Sequence, residues 1–375
     1  MDPDDDRKDF GKLKIDWHSF TNCGVRHIED PTTFEVTLDQ SEYISGISVV
    51  VDPGLRNRPS DDYCTSQVHE QYWSILGAIA YATLTRPDIG VFVSALQRHN
   101  QKPKNIHAKR LNAVVRWAQR NAHSICFKRL PCTGQQNRQK VSPSTLTHLR
   151  QYGDAAFKKE ELTGHSMRGS LYLRCPGHSD EHMTTTTTGH LIHFVNKQQR
   201  RVVRATFTAE LLNGCDTQDL GFLLAVILHE MLTGNPSADK ARQLRETGGF
   251  TIPMVLYIDA MSVYAAVTAL QIKIPADSSV LCYLQYLREL LEHRVLHAIV
   301  WCDTRDMVAD GMTKGAVERK EIHTTMDGDV INNHAMKLWK PKQPLGVPGS
   351  ITALGTDHEP DDQDEVICGM HRQQT

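Results

Sequence analysis

Four carboxylates occupy comparable places along this 375-residue chain. Asp154 lies in the run Leu149 to Phe157, and Glu210 in the first turns of a long apolar stretch. Asp259 closes Met254-Val-Leu-Tyr-Ile258, and Asp310 lies near the start of the segment from Asp306. Carboxylates brought together repel one another unless divalent cations neutralise them, and an oxygen-only ligand set favours Mg²⁺ or Mn²⁺ over zinc. Two such ions ~4 Å apart can activate a water and stabilise the leaving oxygen of a phosphodiester. The chemistry these residues could do together is therefore hydrolysis of a nucleic-acid backbone. Singly, each has a plainer role: Glu210 as a helix-dipole partner, Asp259 as an N-cap, Asp310 as a surface helix residue, Asp154 as a turn or bulge acid. Asp259 is the hardest to assign that way, because an acid that ends a buried strand and opens a helix sits where α/β sheets place ligands.

The elements that must position these acids follow from periodicity. Leu149 to Phe157, Arg168 to Cys175 and His190 to Gln198 read as three short strands of an antiparallel meander. Pro176 to Gly189, with the tract Thr184 to Thr188, reads as an inserted polar loop. A helix is expected from Thr206 to Leu232, with Thr206 and Thr208 as caps and Gly234-Asn-Pro as its stop. Met254 to Ile258 and His297 to Cys302 are apolar enough to be buried strands. Ser262 to Leu270, Ser278 to Arg294 and Asp306 to Gly315 read as helices. The order β-β-β-α-β-α-α-β-α implies an α/β class, with a mixed five-stranded sheet and helices on its faces.

Upstream lies a segment suited to polyanions. From Ile89 to Gly153 there is no Asp or Glu in 65 residues, against twelve Lys and Arg. Its centre is a helix from about Asn105 to Asn121, with Ile106, Leu111, Val114, Val115 and Ala118 on the buried side. Lys102, Lys104, Lys109, Arg110, Arg116 and Arg120 are the candidate nucleic-acid contacts. A charge run is often only a solvated face, but solubility is normally served by mixed charge, so the missing acids favour a phosphate-facing surface. Trp117 could stack on a base, although its helical spacing fits core packing. A preceding helix, Glu70 to Ala82, carries Gly77, Ala78, Ala80 and Ala82 for close packing, and Pro87 opens the next.

Composition bounds the rest. Net charge is −2 and hydrophobic content 40%, which fits a globular chain of two or three packed units with tails. The nine cysteines are scattered without a C-x-x-C pair and read as reduced thiols. Phe222 to Leu228 is the longest apolar run, too short to cross a bilayer, and the acidic start is unlike a signal peptide. An intracellular protein is expected, cytoplasmic or nuclear, with no membrane contact. Residues 1 to 12 read as an acidic disordered leader, 13 to 62 as two short strands and a connector, and 63 to 146 as the basic helical unit. The sheet domain is expected over 147 to 330, and 341 to 375, with six acids between Asp357 and Glu365, as a disordered tail.

Four motifs carry a resemblance. Tyr152-Gly-Asp-Ala-Ala-Phe157, Thr206-Phe-Thr-Ala-Glu-Leu211, Tyr257-Ile-Asp-Ala-Met-Ser262 and Asp306-Met-Val-Ala-Asp-Gly-Met-Thr-Lys314 resemble, in order, the carboxylate motifs of the ribonuclease H domain in copia-type retrotransposon Pol polyproteins. Tyr72-Trp-Ser-Ile-Leu-Gly-Ala-Ile-Ala-Tyr81, Thr85-Arg-Pro-Asp-Ile89, Lys102-Pro and His107 resemble the thumb and connection that follow a reverse-transcriptase palm. The likeness spans about residues 13 to 330. It implies a ribonuclease H-like fold preceded by a small thumb-like unit, and a palm remnant at 13 to 62. It also implies a catalytic, metal-ligating set of Asp154, Glu210, Asp259 and Asp310 holding two Mg²⁺ or Mn²⁺ ions, with an RNA–DNA hybrid as partner. Asp154 would be shared, Glu210 and Asp259 would complete one site, and Asp310 the other. Two departures stand out. No Tyr-x-Asp-Asp hairpin precedes the thumb-like part, so polymerase chemistry is not expected of this truncated Pol product. The His that related nucleases place before the last Asp is absent from Trp301-Cys-Asp-Thr-Arg-Asp306, and neither His297 nor His323 is expected to replace it. The competing expectation is an inert or repurposed nucleic-acid-binding remnant.

Overall fold

The computed structural model describes residues 16–130, 147–157, 164–177, 187–234 and 237–341, with the backbone of 366–367. The acidic leader, Thr184 to Thr186 and almost all of the acidic tail lie outside the described residues.

The first unit begins with the antiparallel strands β1 (Ser19–Asn22), β2 (Val25–Glu29) and β3 (Val36–Asp39), then α1 (Ser41–Ser45). Helix α2 (Ser66–Ala82) starts where the Thr65 side chain accepts from the Val68 amide, an N-cap that satisfies an orphan donor. A 3₁₀ turn at Pro87–Ile89 leads into α3 (Gly90–Gln97), and α4 (Asn105–Arg120) follows. β4 (Ile125–Phe127) then returns to pair with β3, Cys126 opposite Thr37. The helices and the connector form one core, in which Ile44, Ile47, Val50 and Leu55 pack with Tyr72, Ile79, Leu111 and Val115, whereas Ile125 of β4, with Leu38 and Phe127 beside it, packs with Leu173, Leu191 and Val330 in a second core. The helical core takes in residues from both sides of position 62. The small residues of α2 do not all face the core: Gly77 is exposed and Ala78 and Ala80 are half-buried, while Ala82 is buried with Val68, Tyr72, Ile75, Leu76 and Ile79. Larger side chains remove more apolar area from water, and they decide which face turns inward.

The second unit is a mixed α/β sheet. Its elements are β5 (Thr147–Ala156), β6 (Met167–Pro176), β7 (Thr187–Thr188), β8 (His190–Gln198), α5 (Thr206–Thr233), α6 (Ala238–Thr247) and β9 (Met254–Ile258). After them come α7 (Met261–Thr268), α8 (Leu281–Glu292), β10 (Ala298–Cys302), α9 (Asp310–Thr313), α10 (Lys320–Met326), β11 (Asp329–Val330) and β12 (Met336–Trp339). β5, β6 and β8 are antiparallel neighbours, while β9 and β10 run parallel to β5. The order from one edge is β12-β10-β9-β5-β6-β8, and Val366–Ile367 (β13) adds two residues beyond β12. The sheet therefore exceeds the five expected strands. β12 pairs antiparallel with β10 and covers what would otherwise be an exposed edge.

β9 shows why its run of apolar residues is unbroken. Met254, Leu256 and Ile258 pack among Leu211, Leu284 and Leu287 on one face, while Val255 and Tyr257 pack with Tyr152, Leu171 and Met307 on the other. A strand covered on both faces has no solvent side to make polar.

Several boundaries differ from those that periodicity implies. α5 begins after Ala205 with no side-chain cap, so neither Thr206 nor Thr208 serves as the expected N-cap. Asp306 to Gly315 is not one helix but a 3₁₀ turn at Thr304–Asp306 and the four-residue α9. The Asp306 carboxylate accepts from the amides of Asn333 and His334 and lies 2.8 Å from His334 Nδ1, so a distant loop fixes the break. By length and composition α5 could cross a membrane. Its first half nevertheless packs on the sheet and buries Glu210, Asn213, Thr217 and Gln218, as a core helix does. The seven cysteines among the described residues are all free.

The two units meet through a buried ion pair. Arg86 donates from Nε and Nη2 to the two Asp88 carboxylate oxygens at 2.9 and 2.7 Å, both side chains fully buried, and Asp88 Oδ2 lies 3.0 Å from His323 Nε2 on α10. Burial alone would raise the Asp88 carboxyl, but His323 and Arg86 outweigh it and hold it below the usual range.

Candidate metal centre

Asp154 projects from β5 opposite Gly169 of β6. A Cβ on Gly169 would fall 2.5 Å from Met312 Cβ and 2.8 Å from Thr313 Cγ2, so only glycine lets α9 approach the sheet here. Gly153 does the same for α5, whose Thr217 Oγ1 would meet a Cβ at 2.9 Å. Asn213 of α5 stitches the two strands, donating from Nδ2 to Asp154 O at 2.9 Å and to Gly169 O at 3.3 Å. Gly169→Ala should destabilise the fold by about 1 to 3 kcal/mol, because the added methyl must displace α9. Urea unfolding against Gly77→Ala, at an open helical position without positive φ, measures this.

Onto this frame three carboxylates converge. Each of Asp154, Glu210 and Asp259 offers an oxygen, and these lie within 4.8 Å of one another. Asp154 is 1% exposed and Glu210 9%. Glu210 Oε2 accepts from the Ala155 amide at 3.1 Å, which ties α5 to the end of β5. Asp259 follows β9, its carbonyl held by Trp301 Nε1 at 2.8 Å. It does not cap the next helix, whose N-cap is Ala260. The fourth acid, Asp310, reaches Asp154 through Lys314, whose Nζ lies 2.6 Å from Asp310 Oδ1 and 3.3 Å from Asp154 Oδ1. Thr313 donates its hydroxyl to Asp154 Oδ2.

The electrostatics follow from burial and like charge. Burial raises the Asp154 carboxyl and Asp310 raises it further, with Lys314 and Thr313 opposing. Glu210 is raised by burial and then by Asp154 and Asp259; Asp259 is raised by burial and Asp154. Burial disfavours charge on Lys314, yet Asp154 and Asp310 overcome this and hold its ammonium above the ordinary lysine range. A buried oxygen cluster in which each acid resists ionisation is the donor set that a hard divalent cation neutralises. The residues fit such an ion at Asp154, Glu210 and Asp259.

No family model, curated protein or solved structure matches the chain.

The basic candidates divide into two groups. Lys102, Arg110, Arg116 and Arg120 are exposed. Lys104 is half-buried and reaches Asp61 at 3.4 Å, and Lys109 donates to Arg58 O at 3.0 Å, so both have partners within the fold. Trp117 stacks against His323 and under Arg86, which makes it part of the junction between the units. His323 is held there by Asp88, and His297 lies at the opposite end of β10 from the acids, its amide on Met254 O. Neither stands at the carboxylates.

The acid motifs did not single out Lys314, Thr313, Asn213 or Gly169. Lys314 was within reach of the pattern, since it stands four residues after Asp310, the spacing that places opposite charges on one helix face. Arg319 has no such signal. It donates to Gly311 O, Lys314 O and Val317 O at 2.6 to 2.7 Å and stacks on Phe92 of α3, clamping the loop that carries Lys314.

Proposed function

We propose that the chain binds RNA–DNA hybrid and hydrolyses its RNA strand at a divalent-cation centre of ribonuclease H type. The observation that carries this reading is the buried convergence of Asp154, Glu210 and Asp259, with Asp310 joined to Asp154 through Lys314. The mixed sheet with helices on both faces, and the acids in the order of the four motifs, support it further. Asp154, Glu210 and Asp259 would hold one Mg²⁺ or Mn²⁺, and Asp154 with Asp310 a second. Bound there, such ions lower the pKa of a coordinated water and stabilise charge on the leaving oxygen. The chain's own residues supply the rest: Asn213 and the two glycines fix Asp154, Trp301 fixes Asp259, and Arg319 fixes the loop after α9. Burial of mutually repelling acids costs stability, and a chain that kept them without a cation would gain nothing in return, which weighs against the inert alternative.

Arg110, Arg116 and Arg120 on α4 would hold backbone phosphates without reading bases. Replacing all three by alanine should weaken hybrid binding roughly tenfold or more at low salt, and make the salt slope shallower by about 0.9 for each phosphate no longer neutralised. Fluorescence anisotropy at several salt concentrations reads both, and an unchanged affinity would mean that this surface does not hold the duplex. The function itself is tested by a panel of end-labelled duplexes in Mg²⁺. The RNA of the hybrid should be nicked, and double-stranded DNA should be spared because it lacks the 2′-hydroxyl. Intact RNA in every duplex overturns the reading.

A further inference from the structure

The ammonium of Lys314 already occupies the gap between Asp154 and Asp310, at 3.3 and 2.6 Å from their carboxylate oxygens. Its backbone leaves it little freedom to be elsewhere. The Lys314 amide donates to Asp310 O at 2.9 Å, its carbonyl accepts from Arg319 Nη2 at 2.7 Å, and Gly315 lies against Phe92. The side chain itself is 32% exposed, so the four-carbon stem can carry the charge outward while the backbone stays fixed. We propose that Lys314 holds the Asp154–Asp310 half of the centre, so that without nucleic acid the chain binds a single divalent cation, at Asp154, Glu210 and Asp259.

Charge balance in a buried site makes the case, and it rests on the hydrolase reading. Ionised, as a bound cation favours, the four carboxylates with one ammonium carry three negative charges. One divalent ion reduces that to one. A second would overshoot to a net positive site, which a low-dielectric surrounding penalises, and it would compete for the gap in which the ammonium sits. A phosphodiester brings the negative charge that makes two ions acceptable. Without the ammonium, two divalent ions balance the four carboxylates with no nucleic acid present.

The test is Mn²⁺ titration of the full chain without nucleic acid, with free Mn²⁺ followed by electron paramagnetic resonance. Wild type should bind one ion, and Lys314→Met two. Lys314→Gln, which also removes the charge but keeps a polar end, serves should the Met variant not fold, and it should likewise bind two. Two ions on wild type, or one ion on wild type and both variants, overturns the role of Lys314 and leaves the hydrolase reading standing. No ion on any of the three proteins removes the metal centre and the lysine inference together. A purely structural role for Lys314 would change melting temperature without changing the number of ions.

Discussion

Asp259→Asn is expected to lower the rate of hybrid cleavage by on the order of 10³-fold or more while making the cation-free protein more stable. The substitution keeps the shape of the side chain, and the Trp301 bond to the backbone carbonyl is untouched. What it removes is one of the three converging negative charges. Residues that act as one unit lose most of their effect when any member goes, so the loss in rate is large. The gain in stability has the opposite origin. Burial and then Asp154 raise the cost of ionising Asp259, and Glu210, itself raised by burial, feels both acids. Relief of one such repulsion in a partly buried site should be worth about 1 kcal/mol or more, a few degrees in Tm for a domain of this size. Cleavage assays and melting in EDTA read the two effects separately. A variant that loses activity and also loses stability would mean that Asp259 is a structural acid.

The second large effect is the pH dependence of stability without divalent cations. In the unfolded chain Asp154 and Glu210 ionise near 3.8 and 4.5. In the folded chain burial, then the neighbouring acids, push Glu210 up to about 9. Between those values the folded state holds a proton that the unfolded state has released, so stability falls as pH rises. Histidines confuse the lower part of this window: His107, His190, His193 and His229 are all lowered by burial, and their contribution grows as pH rises to about 6.5. Above pH 7 they are neutral in both states. From pH 7 to 8.5 the metal-free protein should therefore lose stability at up to about 1.4 kcal/mol per pH unit. Saturating Mg²⁺ should remove the decline, because it favours the ionised acids that the fold otherwise penalises. Glu210→Gln should flatten it without metal. Urea denaturation at several pH values measures the slope. An equal slope in wild type and Glu210→Gln would show that these acids do not carry it.

How much of this could be read from the chain differs by residue. The unbroken apolar run Met254 to Ile258 announced a strand buried on both faces, and the acid after it announced a site at the strand's end. Both rest on local pattern; the strand stands where expected, and Asp259 after it is one of three converging carboxylates. The helix expected from Asp306 to Gly315 failed because its break is set by Asn333 and His334, which no local window contains. The strand Met336–Trp339 is four residues long, and what makes it a strand is the open edge of β10. Gly169 could not be singled out, because its need for no side chain comes from Met312, far along the sequence. Lys314 lay in plain view within its motif. Its meaning required knowing that Asp154, 160 residues earlier, stands on its other side.

The most direct measurement is cleavage of an end-labelled RNA–DNA hybrid by wild type and Asp259→Asn, each in Mg²⁺ and in EDTA. The carboxylate centre predicts nicks in the RNA strand only for wild type with Mg²⁺. Intact RNA with wild type in Mg²⁺, or equal cleavage by Asp259→Asn, would contradict it.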